Sequence, residues 1–259
     1  MKKAFLTNWK LYLAEALGLA IFMLSASFFG AMLEAHDSSW HLALPATFTR
    51  TVIMGLLMGG TAIFIFYSPW TASSGAQINP AVTLTFLRLK KINLHDAIFY
   101  ILFQFTGGTL AVYIMTVLMG HTLTAAPVNY VVTVPGKPGL WPAVIMEFVI
   151  AFVMMTMVLF TSSNKRTARF TKIIAGCLVC CYVIVSGPVS GFGMNPARSF
   201  ASALPANTWT AFWLYLFIPV ISMLCAAEFY LRFKSIKDIS HTALWHKRVN
   251  IFKSIIQLL

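Results

Sequence analysis

The chain has 259 residues, 59% of them hydrophobic and only 10% charged, with a formal net charge of +12. Soluble domains usually carry about 25% charged residues, so this composition excludes an ordinary water-soluble globule. The cations lie between apolar runs rather than in one patch, which excludes nucleic acid as the natural partner.

Apolar runs cover about 11–33, 51–68, 97–119, 141–161, 173–187 and 209–231. Each approaches the roughly 20 residues needed to cross a hydrocarbon core about 30 Å thick, so six membrane-spanning helices are expected. A β-barrel would instead show short alternating strands. The first run begins among Lys2, Lys3 and Lys10 in the manner of a secretory leader, but Glu15 and apolar sequence continuing to Leu33 predict an uncleaved first span.

After the second run comes "SGAQINPAVTL", starting at Ser74, and after the fifth comes its near-echo "SGFGMNPARSF", starting at Ser190. Asn79 and Asn195 are good N-cap residues, and Pro80 and Pro196 suit a first helical position, so each tripeptide should open a helix. Pro80 to Leu89 spans about 15 Å at 1.5 Å per residue, half a bilayer core, and Pro196 to Leu204 is similar. Both therefore read as re-entrant half-helices.

Each half of the chain repeats one pattern: a span with a glutamate near its start (Glu15, Glu147), a second span, the turn and a third span. Three spans per half invert the second half relative to the first, an arrangement whose sites lie near the midplane between repeats. The two half-helices should then meet head to head, N-termini at the membrane centre. Of the 19 lysines and arginines, only Arg50, Lys137 and Arg198 fall on the side opposite the termini. That asymmetry predicts two cytoplasmic termini.

The remaining polar residues carry blander readings. Cys177, Cys180, Cys181 and Cys225 all lie inside expected spans; Cys177-x-x-Cys180 has metal-ligand spacing, yet no histidine or carboxylate accompanies it in the fifth span. The cysteines are expected as small packing residues, and no metal or cofactor is expected. The histidines fall in loops or the tail, Glu228 should be solvated or interfacial, and span methionines and phenylalanines should pack or face lipid. Beyond Arg232, residues Trp245, Val249, Phe252, Ile256 and Leu259 recur at helical spacing among basic residues, the pattern of an amphipathic helix on a membrane surface.

The paired signatures, each with Ser-Gly five residues before its asparagine, resemble those of the major intrinsic protein family, the aquaporins and glycerol facilitators. The likeness covers about residues 9–232 and implies an all-α membrane fold of six spans plus two half-helices in inverted repeats. On that division, an aquaporin-like channel domain occupies 1–232 (repeat one about 9–119, repeat two about 141–232), with a basic cytoplasmic tail at 233–259. The resemblance implies a passive, non-enzymatic water channel that excludes ions and protons, assembled as a homotetramer in the plasma (inner) membrane. It implies pore motifs at Asn79, Pro80, Ala81, Asn195, Pro196 and Ala197, with a selectivity filter that includes Val183, Phe192 and Arg198. Glu15, Glu147 and Gln104 match structural polar positions, the glutamates holding the re-entrant loops.

Departures point two ways. Gln77 stands where the first signature usually has histidine, Val183 where water-selective members have histidine, and Phe192 where glycerol facilitators carry phenylalanine. Ser199, Ala203, Phe212 and Trp213 match the water branch. The filter residue of the second span is open among Met54, Met58 and Gly59. A glycerol-type facilitator for small neutral solutes is therefore the alternative reading. A secondary transporter would want ion-binding carboxylates in a central cavity, and a non-conducting scaffold is the remaining class.

Overall fold

The computed structural model describes residues 1–256, with side chains through Lys234. Among these there is no β-strand. Eight helices carry the architecture: α1 (Lys2–Glu34), α2 (Thr47–Tyr67), α3 (Pro80–Arg88), α4 (Leu94–Met119), α5 (Leu140–Ser162), α6 (Thr171–Ser190), α7 (Pro196–Ala206) and α8 (Phe212–Ile256). Six of them are long and apolar enough to cross a membrane; α3 and α7 are the two short ones. The first span starts earlier than the apolar run indicates, because Lys2, Lys3 and Lys10 extend α1 as ordinary helix formers beyond the apolar stretch. The amphipathic pattern from Trp245 onward lies outside the described side chains.

Both half-helices start as their sequences dictate. Asn79 accepts from the Ala81 N–H, Asn195 accepts from the Ala197 and Arg198 N–H groups, and a proline holds the first helical position of each. The second half-helix runs to Ala206, two residues past the expected Leu204, with Pro205 inside its last turn and Asn207 closing it in the left-handed conformation. Each half-helix packs against a span of the other repeat, α3 on α8 and α7 on α4, while α1 pairs with α4, α5 with α8, and α2 with α6 across the repeats.

Small residues permit these close approaches. At Gly107, a Cβ would lie 2.3 Å from the Ala16 carbonyl oxygen. A Cβ on Gly59 would lie 2.8 Å from the Gly176 carbonyl, and one on Gly176 3.0 Å from that of Gly59. Backbone occupies this space, so no side-chain rotation relieves the clash. Gly107→Leu is expected to cost about 1–3 kcal/mol or more by forcing α1 from α4. Its melting temperature in detergent should fall by several degrees; an unchanged value would refute contact this close.

The link after α2 winds into a short helical turn, Pro69–Ala72, capped by the Ser68 side chain. Thr71, fully buried, donates back to the Ile65 carbonyl. On the opposite face, buried Arg50 donates to Glu34 and to the Leu44 and Pro45 carbonyls, tying the end of α1 to the start of α2. On the basic face Arg88, ending α3, pairs with Glu228 of α8 at 2.6 Å. The expected interfacial carboxylate is thus half of an ion pair. Exposed tryptophans sit near span ends (Trp9, Trp70, Trp141, Trp209 and Trp213), as in the aromatic belts of membrane proteins.

The cysteines divide. Cys180 packs against Gly55 and Gly59 of α2, whereas Cys177, Cys181 and Cys225 are exposed on the bundle surface. Interior packing therefore describes only Cys180. The sequence does not mark the other three as outward, because an all-apolar helix has no polar face to reveal which side is buried.

Candidate functional site: a polar passage at the bundle centre

The two loops that precede the half-helices are bent far from ordinary backbone. Gly75, Ala76 and Ile78 have φ of 89°, 46° and 44°, and their counterparts Gly191, Phe192 and Met194 have 76°, 54° and 50°. Glycine takes this region freely, but a β-branched Ile78 there is a true outlier costing on the order of 1–3 kcal/mol. The conformation persists because a buried carboxylate collects the loop's N–H groups.

Glu15 Oε1 accepts from the Ser74 hydroxyl at 2.6 Å and the Gln77 N–H at 2.9 Å. Its Oε2 accepts from the Ile78 N–H at 2.5 Å and the Gln104 amide at 2.7 Å. The second loop repeats the scheme. Glu147 Oε1 accepts from Ser190 at 2.7 Å and the Gly193 N–H at 2.8 Å, and Oε2 from the Met194 N–H at 2.5 Å. Both glutamates and Gln104 are fully buried. Satisfied buried acceptors are what bent backbone at membrane depth requires.

Two tyrosines complete the pattern. Tyr100 donates to the Ser74 carbonyl at 3.0 Å, 26 residues away, and Tyr215 to the Ser190 carbonyl at 2.7 Å, 25 residues away. Their near-equal offsets from the two signatures are a sequence signal that motif reading alone passes over.

The two turns are locked to each other. The Asn79 amide donates to the Met194 carbonyl at 2.9 Å, and the Asn195 amide donates to the Ile78 carbonyl at 2.7 Å. Each asparagine thus caps its own helix, bridges to the other loop with one N–H, and keeps a second N–H free of these bonds. Pro80, Ala81, Pro196 and Ala197 are buried at the joint. The positive ends of two helix dipoles face each other here.

A cavity of about 180 Å³ is lined by both asparagines of this joint. Ile78, Asn79, Phe192, Met194, Asn195 and Arg198 are among its lining residues. Phe66, Val82, Phe86, Val158 and Ala175 give it an apolar wall, and Thr171 and Lys172 line it as well. Arg198 is 8% exposed; one terminal nitrogen donates to the Thr133 hydroxyl, and its Nε has no partner among the described residues. Thr133 in turn donates to Ser199 at 3.3 Å. Thr133 belongs to the linker between the repeats, where no periodicity or motif marks it.

Val183 is not among the cavity-lining residues; it is buried in the same apolar cluster as Phe192. Of the three candidates on the second span, none lines the cavity: Met58 is buried in the core, Met54 packs against it, and Gly59 faces α6. Ala62 and Phe66 are the lining residues from that helix.

Residues 2–230 match the major intrinsic protein family. The chain belongs to that family. It is 33% identical over 173 residues to aquaporin NIP2-2 of Zea mays, a match covering 66% of this chain and 57% of that protein. It is 31% identical over 196 residues to aquaporin NIP1-2 of Oryza sativa subsp. japonica, covering 73% and 64%. The matches thus span less than two thirds of these relatives. The aquaglyceroporin of Plasmodium falciparum shares the fold, with a TM-score of 0.72 at 19% identity, covering 86% of this chain and 95% of that one. The chain is therefore an integral membrane protein of a channel family, all-helical and with the fold of an aquaglyceroporin.

Proposed function

We propose that this chain conducts water passively down its osmotic gradient while excluding ions and protons. The observation that carries the reading is the cross-linked pair of asparagines at two opposed half-helix N-termini, set in a cavity that also holds Arg198. Dipole ends and a guanidinium oppose cations, while free amide N–H groups stabilise a neutral hydrogen-bonding molecule. Among the described lining residues there is no histidine or carboxylate to pass protons along.

A second reading, passage of glycerol and similar small neutral solutes, is favoured by the apolar wall and by Phe192 in the same lining as Arg198. In both readings Phe192 and Arg198, backed by Val183, form the filter, and Glu15, Glu147 and Gln104 hold the loops. The basic bias supports two cytoplasmic termini, with 233–259 as a tail outside the channel domain. The family resemblance supports a homotetramer with a pore in each subunit.

Stopped-flow measurements of water and glycerol flux in parallel proteoliposomes test the function. Water flux well above that of empty liposomes is expected, and glycerol flux decides between the readings. Flux of neither solute would overturn both. Asn195→Asp, which places a carboxylate at a helix N-terminus, should admit cations that the wild type excludes; unchanged exclusion in folded protein would remove Asn195 from the pore.

A further inference from the structure

The stretch that joins α5 to α6 and opens α6 carries Lys165, Arg166, Arg169 and Lys172, all exposed. No acidic residue stands between Glu147 and Glu228 in the sequence. Among the described residues the ion pairs are Arg50 with Glu34 and Arg88 with Glu228, so none of these four cations belongs to one. Two aromatic rings accompany the charges. The Arg169 guanidinium lies 4.6 Å from the Phe170 ring centroid, and the Lys172 ammonium lies 4.9 Å from that of Tyr67, the last residue of α2. Both rings are exposed, and the Tyr67 hydroxyl donates to the Arg169 carbonyl at 3.4 Å. The turn Ala168–Phe170 runs directly into α6, so Arg169 and Lys172, three residues apart, share one side of it.

We propose that this loop is a docking surface for anionic phospholipid headgroups. Tyr67 ends one membrane span and Ala168 begins another, so the loop lies where a bilayer places its phosphates. Neighbouring cations without a carboxylate repel one another, and a phosphate set among them relieves that repulsion. A guanidinium takes two oxygens of one phosphate at once, and an ammonium adds a point charge beside it. Exposed aromatic rings suit the same layer, which is apolar on one side and wet on the other. A zwitterionic headgroup carries its own cation and gains much less. Arg88, on the same basic face, is already neutralised by Glu228, whereas this loop leaves its charge for a partner outside the chain. The surface is independent of which solute the channel passes.

Native mass spectrometry of the full chain in detergent, titrated with phosphatidylglycerol or with phosphatidylcholine of the same acyl chains, reads the two affinities. Wild type should bind phosphatidylglycerol about tenfold or more tightly, since each basic residue at an anionic surface contributes about fivefold. Arg166→Gln/Arg169→Gln should bring phosphatidylglycerol down close to phosphatidylcholine, with an unchanged melting temperature in lipid-free detergent as proof of folding. Lys90→Gln/Lys91→Gln, which removes two exposed cations elsewhere on the same face, should keep the wild-type preference. If the double arginine variant does not fold, the single variants decide, each expected to lose about fivefold. Equal affinity of wild type for both lipids overturns the proposal, and so does a preference that survives loss of both arginines. Equal losses in the two double variants would assign the preference to the whole basic face and overturn this loop as its site. Displacement of phosphatidylglycerol by glycerol 3-phosphate at equal concentration would make the loop a site for soluble phosphates and overturn the lipid assignment.

Discussion

Glu147→Gln is expected to lower solute flux at least tenfold and to destabilise the protein by about 3 kcal/mol. Glu147 presents acceptors to three donors, Ser190 Oγ and the N–H groups of Gly193 and Met194. Glutamine keeps one oxygen and replaces the other with an NH2. With the remaining oxygen toward Ser190 and Gly193, the NH2 meets the Met194 N–H, donor against donor. That orphaned donor alone costs about 1–3 kcal/mol. It is also the bond that holds Met194 at φ 50°, so the loop gains a reason to relax toward ordinary backbone. The Met194 carbonyl would turn with it, and that carbonyl is the acceptor for Asn79. A local change should therefore disturb the asparagine joint itself. Ser190→Ala, which removes one hydroxyl and leaves both backbone bonds, should be milder on both counts. Melting temperature in detergent and stopped-flow flux measure the two effects; if Glu147→Gln matches wild type in both, the loop does not depend on this carboxylate.

Much of this site could be read from the chain because its parts are local. An asparagine before a proline before an apolar run caps a helix wherever it occurs, and α3 and α7 begin where that rule puts them. Glu15 and Glu147 could be assigned as loop holders because a charge inside an apolar run needs a partner and bent backbone supplies donors. Thr133 was out of reach. It meets Arg198 across 65 residues of sequence, from a linker with neither period nor signature. Tyr100 and Tyr215 lay within reach, since they stand 26 and 25 residues from the two serines they bind, but only a search for nearly repeated offsets would have singled them out. Position along a signature fixed Phe192 at the cavity and failed to fix Val183 there, because Phe192 lies on the loop itself. Rotation of a uniformly apolar helix leaves no trace in its sequence, which also explains the three outward cysteines.

Arg198→Ala is expected to open the passage to cations and to larger neutral solutes at once, and the two effects have different physical sources. A unit charge about 4 Å from a passing cation, at an effective dielectric near 20, repels it by about 4 kcal/mol, close to a thousandfold in rate. Loss of side-chain volume acts on every solute, charged or not, and by less. Arg198 is 8% exposed and donates to Thr133, so alanine also leaves that hydroxyl short of a donor and removes a wall from the cavity. Arg198→Lys separates the terms. It keeps the positive charge but lacks the planar fork that Arg198 uses toward Thr133. If charge governs ion exclusion, Arg198→Lys still excludes cations while glycerol flux rises, and Arg198→Ala passes both. If the dipole ends at the asparagine joint suffice, Arg198→Ala raises neutral-solute flux while cation conductance stays at the level of empty bilayers. Conductance in planar bilayers and solute flux in proteoliposomes read these outcomes separately. An Arg198→Ala protein that folds and leaves both unchanged would show that the passage is not limited at Arg198.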